Sequence, residues 1–104
     1  MDSLQLNLKE LSFLLAKVED PRLIRGFLES LLTPREIQDL AGRWELVKLL
    51  DDGWTQRAIA SRLGMSLCKI TRGARELRRS DAPFHRMLDL KKMVDPEGGS
   101  VDRG

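Results

Sequence analysis

The side chains best suited to chemistry lie between Ser66 and Arg79, in the stretch SLCKITRGARELRR. Its fourteen residues hold five Lys or Arg side chains and a single acid, Glu76. Lysine and arginine donate hydrogen bonds to phosphate and carboxylate oxygens, and they repel one another when no anion is near. Such a cluster is typical of a surface that binds a polyanion. A glycine, Gly73, stands unexpectedly in the middle of this helical pattern.

Positive charge is concentrated in one quarter of the chain. The whole sequence of 104 residues has a formal net charge of only +2. Residues 55–80 hold one acid and seven cations, a net charge of +6, whereas residues 1–54 and 81–104 carry −3 and −1. We expect this segment to face nucleic acid; the alternative is an ordinary solvated helix face. The seven cations are Arg57, Arg62, Lys69, Arg72, Arg75, Arg78 and Arg79.

Other kinds of chemistry find little support in the residue types. The single cysteine, Cys68, cannot form an internal disulfide, and no spacing of His, Cys, Asp or Glu resembles a metal site. His85 has no nucleophile paired with it and is expected to be a surface or packing residue. We therefore predict no enzyme, no metal and no cofactor. No run of about 18 apolar residues could cross a membrane, and no secretory signal is evident, which favours a cytoplasmic protein.

Hydrophobic periodicity predicts an all-α chain of six helices. Apolar residues recur every three or four positions, without the alternation that marks strands. The long helix that begins at Pro34 is predicted to bury Ile37, Leu40, Ala41, Trp44, Val47 and Leu50. Capping residues precede four of the helices, and glycines follow two of them. The caps are Asp20, Thr33, Thr55 and Ser66, and the glycines are Gly53 and Gly64.

The first two predicted helices carry more apolar residues than a chain of this size can cover. A helix that is apolar on more than one side needs more than one neighbour, and a second copy of the chain is the simplest one. We predict a homodimer; the alternative is a compact monomer with surface leucines. Residues 1–94 are assigned to one helical DNA-binding and dimerisation domain, and residues 95–104 to a flexible C-terminal tail.

The cationic segment also has the spacing of a helix-turn-helix, which places its second helix in the major groove of DNA. Ala60 allows two helices to approach closely, Gly64 reverses the chain, and Ile70 anchors the second helix in the core. We predict this motif at about 55–79. The residues expected to approach bases or phosphates are Gln56, Arg57, Leu67, Cys68, Lys69, Thr71, Arg72, Arg75 and Arg78.

From Leu31 to Arg79 the sequence resembles the tryptophan operon repressor family. The resemblance covers about half of the chain. It rests on LTP before the long helix, the arginine of GRW, TQR at the start of the first motif helix, and ITRG in the second. It implies an intertwined homodimer that binds free L-tryptophan as corepressor and then binds a double-stranded DNA operator.

The same resemblance implies which residues bind this small amino-acid ligand. Arg43 and Arg72 would stack on the two faces of the indole ring, and Arg72 would also meet the ligand carboxylate near Thr33. Guanidinium groups suit both tasks, because they stack on aromatic rings and pair with carboxylates. Backbone carbonyls around Ser30 and Leu32 would receive the ligand's ammonium group.

Three further positions bear on this candidate ligand site. Gly73 would leave room for the ligand beside Arg72; the alternative is that it only relieves crowding against the long helix. Glu76 stands where the best-known family members carry a serine that faces the ligand, and its carboxylate would need Arg43, Arg75 or the ligand's ammonium as a partner. Lys69 replaces a threonine beside the ligand and the operator.

These observations predict a sequence-specific DNA-binding transcriptional repressor. L-tryptophan would activate it, and it would control tryptophan biosynthesis or transport. Two alternatives stay open. One is a repressor of the same fold with a different ligand or none. The other is a DNA-binding subunit of a transposition or replication-initiation system, whose relatives use the same motif.

Overall fold

A computed structural model describes residues 2–79 and 82–94, and within them the chain forms six α-helices and no strand. This confirms the all-α prediction, whereas the predicted tail, residues 95–104, lies outside the described part. None of the described helices is both long enough and apolar enough to span a membrane. The helices are α1 (Ser3–Lys17), α2 (Pro21–Leu31), α3 (Pro34–Asp51), α4 (Gln56–Leu63), α5 (Leu67–Leu77) and α6 (Pro83–Val94).

Local hydrogen bonds fix where the helices begin, as the sequence predicted. The carboxylate of Asp20 accepts a hydrogen bond from the backbone N–H two residues later, at 3.0 Å. Thr33 and Glu36 bond each other's backbone N–H groups at 2.8 and 3.1 Å, which is a capping box. At the starts of α4 and α5, the hydroxyls of Thr55 and Ser66 each accept a hydrogen bond from the backbone N–H three residues later, at 3.1 and 3.4 Å. Each cap satisfies a backbone donor that the helix itself leaves without a partner.

The chain divides into two units, residues 1–39 and 40–104. In the first unit no described side chain is buried, and neither α1 nor α2 contributes to a core. Large apolar side chains are instead more than half exposed to solvent. These are Leu4, Leu6, Leu8, Phe13, Leu14, Leu23 and Leu31. The first two helices thus have no hydrophobic core of their own within one chain.

The second unit has a small, well-defined core. Ile59 of α4 and Ile70 of α5 are completely buried, and they pack with Leu46 and Leu49 of α3. Partly buried side chains surround this cluster, namely Leu50, Ala60, Leu63 and Met65. The end of α3 therefore supplies the surface on which α4 and α5 are packed.

The buried face of α3 differs in part from the predicted one. Val47 is buried as predicted, but Leu40 and Ala41 are exposed. Leu46 and Leu49, which periodicity did not select, are buried instead. Apolar residues occupy most of the circumference of this helix, so the positions of α4 and α5 decide which of them are covered.

The imidazole of His85 ties α6 to the end of α5. Its Nε2 atom lies 2.6 Å from the carbonyl oxygen of Leu77 and 2.9 Å from that of Arg79. Carbonyl oxygens only accept hydrogen bonds, so Nε2 carries the hydrogen and donates it. The half-buried ring therefore donates to carbonyls at and just beyond the end of α5, and that of Arg79 also accepts from the N–H of Ala82 at 3.2 Å. An ion pair of 3.2 Å between Lys92 and Asp51 joins α6 to α3.

Candidate nucleic-acid interface

Three small or apolar residues determine the turn between α4 and α5. Ala60 packs against the core, and its carbonyl accepts a hydrogen bond from the N–H of Gly64. Gly64 adopts a left-handed conformation, with φ of 64°, which a glycine enters without steric cost. Ile70, six residues later, is fully buried. The two helices are thereby held in one arrangement against α3.

Five of the seven cations in this segment have no side-chain partner among the described residues. The guanidinium or ammonium groups of these five make no hydrogen bond or ion pair with a described residue, and all five side chains are exposed. The five are Arg57, Lys69, Arg72, Arg75 and Arg78. By contrast, three arginines of the first unit each pair with a nearby acid, namely Arg22, Arg25 and Arg35. The α4–α5 surface therefore keeps its positive potential for an external anion.

The other two cations of the segment are engaged within the chain. The guanidinium of Arg62 lies 5.4 Å from the centre of the Trp54 ring, within the range of a cation–π contact. Arg79 pairs with Glu76 at 3.0 Å. Neither contact involves one of the five partnerless cations, so their positive charges are not neutralised by it.

A hydrogen bond joins the two helices on the same surface. The hydroxyl of Thr71 on α5 donates to Oε1 of Gln56, the first residue of α4, at 2.9 Å. Thr71 is exposed and Gln56 is half-buried. The sequence placed both residues in the DNA-binding set, but it gave no sign that they bond each other. Leu67 and Cys68, at the start of α5, are exposed as that set requires.

Three predicted ligand-binding positions lie in the first unit, where two of their side chains already have hydrogen bonds. The hydroxyl of Ser30 donates to the carbonyl of Gly26 at 2.9 Å. That of Thr33 is used by the capping box. Leu32 ends α2, with its backbone N–H bonded to Leu28.

The other predicted ligand-binding positions lie on α3 and α5. Arg43 and Arg72 are exposed, and neither guanidinium has a partner among the described residues. Arg43 stands three residues before Leu46, and Arg72 stands next to Gly73. Because Leu46 approaches Gly73 closely, the two arginine positions belong to neighbouring parts of the α3–α5 contact.

The space in front of Gly73 is occupied by α3. A Cβ atom at this position would lie 2.9 Å from Cδ2 of Leu46 and 3.8 Å from Cδ1 of Leu50. Close packing against the long helix is therefore a sufficient reason for the glycine. This geometry supports the alternative in which Gly73 relieves crowding.

The carboxylate of Glu76 has a different partner from those expected. Both of its oxygens lie within 3.2 Å of one guanidinium nitrogen of Arg79, rather than near Arg43 or Arg75. The two residues are three positions apart on the same helix end, a spacing that brings side chains together. Arg79, which follows the end of α5, is thus a partner for Glu76 that the sequence analysis did not name beside Arg43, Arg75 and the ligand's ammonium.

Substituting Gly73 tests this packing. Replacing a mid-helix glycine by alanine normally raises the free energy of unfolding by up to about 1 kcal/mol. Here the new methyl group would displace Leu46, whose side chain is only 4% exposed, at a cost of about 1–3 kcal/mol. We expect no stabilisation from Gly73→Ala alone, but a gain of up to about 1 kcal/mol in a Leu46→Val background, which lacks the Cδ atoms.

Urea unfolding of the wild type, the two single variants and the double variant, all at one protein concentration, measures the coupling between residues 46 and 73 in the free energy of unfolding. Strictly additive effects would contradict the packing explanation.

A concavity of about 510 Å³ opens between the end of α3, the start of α4 and the second half of α5. It is lined by Leu50, Trp54, Thr55, Gln56, Ala74, Leu77 and Arg78. None of the predicted ligand-binding residues lines it, whereas Gln56 and Arg78 belong to the predicted DNA-binding set. Across the described ranges, no group of three or more His, Cys, Asp or Glu side chains is placed to hold a metal ion.

Comparison with known proteins gives the family of the chain. Residues 6–92 match the family model described as Trp repressor protein. Proteins named Trp operon repressor homolog are similar: one from Chlamydia trachomatis serovar L2 is 33% identical over 76 residues, which are 72% of this chain and 81% of that protein. One from Xylella fastidiosa strain M23 is 40% identical over 65 residues, 62% of this chain and 71% of its own. No solved structure matches the chain significantly. The matched span includes all or most of each of the six described helices. The chain belongs to the Trp repressor family of DNA-binding regulators.

Proposed function

We propose that this protein is a transcriptional repressor that binds an operator in double-stranded DNA as a homodimer. Membership of the Trp repressor family supports this proposal, as do relatives named Trp operon repressor homolog. The observation that carries it is the α4–α5 surface with its five exposed, partnerless cations. A cluster of this kind raises the local concentration of a polyanion and contributes affinity through release of its counterions.

The two helices would act as a helix-turn-helix, with α5 in the major groove. In that geometry the first turn of α5 approaches base edges, while the start of α4 approaches phosphates. Lys69 is the charged side chain of that first turn, so it is assigned a role in sequence preference. Arg57, on the first turn of α4, is assigned to a phosphate. Cys68 offers a small apolar surface that suits a thymine methyl group.

Replacing Arg57 tests this docking. We expect Arg57→Ala to weaken binding to all DNA sequences to a similar degree and to flatten the slope of log affinity against log salt by about one unit. Lys69→Ala should instead change which operator sequence is preferred. Arg35→Ala is the matched control, since Arg35 lies outside the segment and pairs with Asp39, and its slope should equal that of the wild type.

Fluorescence anisotropy with labelled duplexes at several salt concentrations gives these slopes. An unchanged slope with altered base preference in Arg57→Ala would show that the docking is wrong. A wild-type protein whose DNA affinity does not depend on salt would exclude the proposed function itself.

We infer that L-tryptophan is the corepressor, and that Arg43 and Arg72 bind its indole ring. The names of the relatives support the choice of ligand, and the two exposed guanidinium groups without partners support the residues. The Glu76 carboxylate is already paired with Arg79, which weakens its repulsion of a ligand carboxylate. Regulation of tryptophan biosynthesis or transport follows as the expected biological role.

A further inference from the structure

The hydrogen bond between Thr71 and Gln56 fixes how the glutamine amide can be used. A glutamine side chain has one oxygen that accepts hydrogen bonds and one NH₂ group that donates two. The Thr71 hydroxyl donates to this oxygen at 2.9 Å. The amide plane is thereby held by a residue fifteen positions away on another helix, and the NH₂ group of this half-buried side chain keeps both of its donors.

An amide held in this manner recognises a narrower set of partners than a free one. A free glutamine binds adenine with two hydrogen bonds, one donated to N7 and one accepted from N6. The bond from Thr71 uses one of the two lone pairs of the Gln56 oxygen and fixes the amide plane, whereas both N–H donors of the amide keep no partner among the described residues. Groups that only accept, namely a phosphate oxygen or the O6 and N7 atoms of guanine, can bind these donors without using the remaining lone pair.

The surroundings of Gln56 agree with such a partner. The concavity beside it is lined also by Arg78, whose guanidinium only donates and has no partner among the described residues. The next residue along α4 is Arg57, which is equally partnerless. The lining of the concavity contains no acid. The charged side chain that lines the concavity and the one that follows Gln56 on α4 are therefore both cations, which favour an anionic or acceptor-only partner.

We propose that Thr71 is a positioning residue that orients Gln56 as a donor toward an acceptor-only group of the operator, a phosphate oxygen or a guanine edge. Thr71 acts through Gln56 rather than through a contact of its own with DNA. The inference rests on the proposed function, because it requires that α4 and α5 bind DNA. The hydrogen bond between Thr71 and Gln56 would also hold α4 and α5 in a fixed relative position before DNA binds.

The test compares two substitutions at residue 71 in the full-length chain. Thr71→Val keeps the shape and removes the hydroxyl, whereas Thr71→Ser keeps the hydroxyl. The probe is the duplex that the wild-type protein selects from a random library. We expect Thr71→Val to weaken binding about tenfold and Thr71→Ser to stay within about twofold of the wild type. Thr71→Val should have no effect in a Gln56→Ala background. Equal thermal unfolding of the two variants excludes a folding defect.

Modified duplexes identify the acceptor. Methylphosphonate substitution removes one phosphate charge, and 7-deazaguanine removes one N7 acceptor. The modification that weakens the wild type but not Gln56→Ala marks the partner as phosphate or as guanine; either result supports the proposal. It is overturned if Thr71→Val binds as the wild type does, if Thr71→Ser is as weak as Thr71→Val, or if adenine is the partner. Wild-type protein that binds no duplex overturns the proposed function together with this inference, whereas the other three outcomes leave that function intact.

Discussion

Sedimentation of this protein is expected to show a dimer and no folded monomer, from micromolar concentration down to the dilution at which helicity is lost. The reason is the first unit, in which no described side chain is buried and leucines such as Leu8 are more than half exposed. Burying one such side chain contributes about 1.5–3 kcal/mol to the free energy of folding and association. Several of them on α1 and α2 make a separate folded chain unfavourable, so that stability depends on protein concentration.

One pair of substitutions on α1 distinguishes a dimer from a monomer with surface leucines. Leu8→Lys should lower the melting temperature and shift the dissociation midpoint to higher concentration, because a charge would enter the covered surface. Asn7→Lys changes the charge equally at the neighbouring exposed position and should have a much smaller effect. Circular dichroism and analytical ultracentrifugation across a dilution series provide both quantities. A helical monomer at micromolar concentration, or a Leu8→Lys protein as stable as the wild type, would contradict the dimer.

Replacement of Arg72 should abolish the response to L-tryptophan. In the wild type we expect the ligand to raise operator affinity by about 5–150-fold, the usual range of coupling between two sites. Arg72→Ala removes the guanidinium that would stack on the indole and pair with the carboxylate. Arg72→Lys keeps the charge but not the planar group, so it should also lose most of the ligand affinity. Calorimetric titration with L-tryptophan in the absence of DNA separates this loss from any weaker contact with the operator.

Arg75 provides the matched control for this experiment. It lies three residues along the same helix, is likewise exposed and has no partner among the described residues. Arg75→Ala should weaken DNA binding while the calorimetric affinity for L-tryptophan stays unchanged. If the wild-type protein binds its operator equally well with and without L-tryptophan, then the ligand assignment is wrong. The assignment of DNA binding would not be affected by that result.

Sequence reasoning succeeded where the determining interactions are local. The caps at Thr33 and Ser66 depend on residues three positions away, and Gly64 depends only on its own φ angle. Such features can be read from a short window. The burial of Ile70 follows from spacing within one pair of helices.

The features that sequence reasoning missed depend on how separate helices meet. Leu46 became a core residue because α4 and α5 pack on its side of α3, and nothing in the periodicity of α3 distinguishes that side. The bond from Thr71 to Gln56 crosses fifteen residues. His85 was expected only to lie on the surface or to pack, yet it binds the carbonyls that end α5. Each of these requires a tertiary arrangement that no window of the sequence contains.

The lack of a core in residues 2–39 has a consequence for the order in which the chain acquires structure. The core of the second unit joins Leu46 to Ile70 through helices that are adjacent in sequence, and such local contacts form quickly within a single chain. The first unit would wait for an encounter with another chain, so its ordering should be a second-order process that slows as concentration falls. Synthesis runs in the opposite direction, since α1 and α2 leave the ribosome before the second unit does. These two helices would thus be made before the second unit but would fold after it, and newly made chains would expose leucine-rich helices to chaperones until a second chain binds.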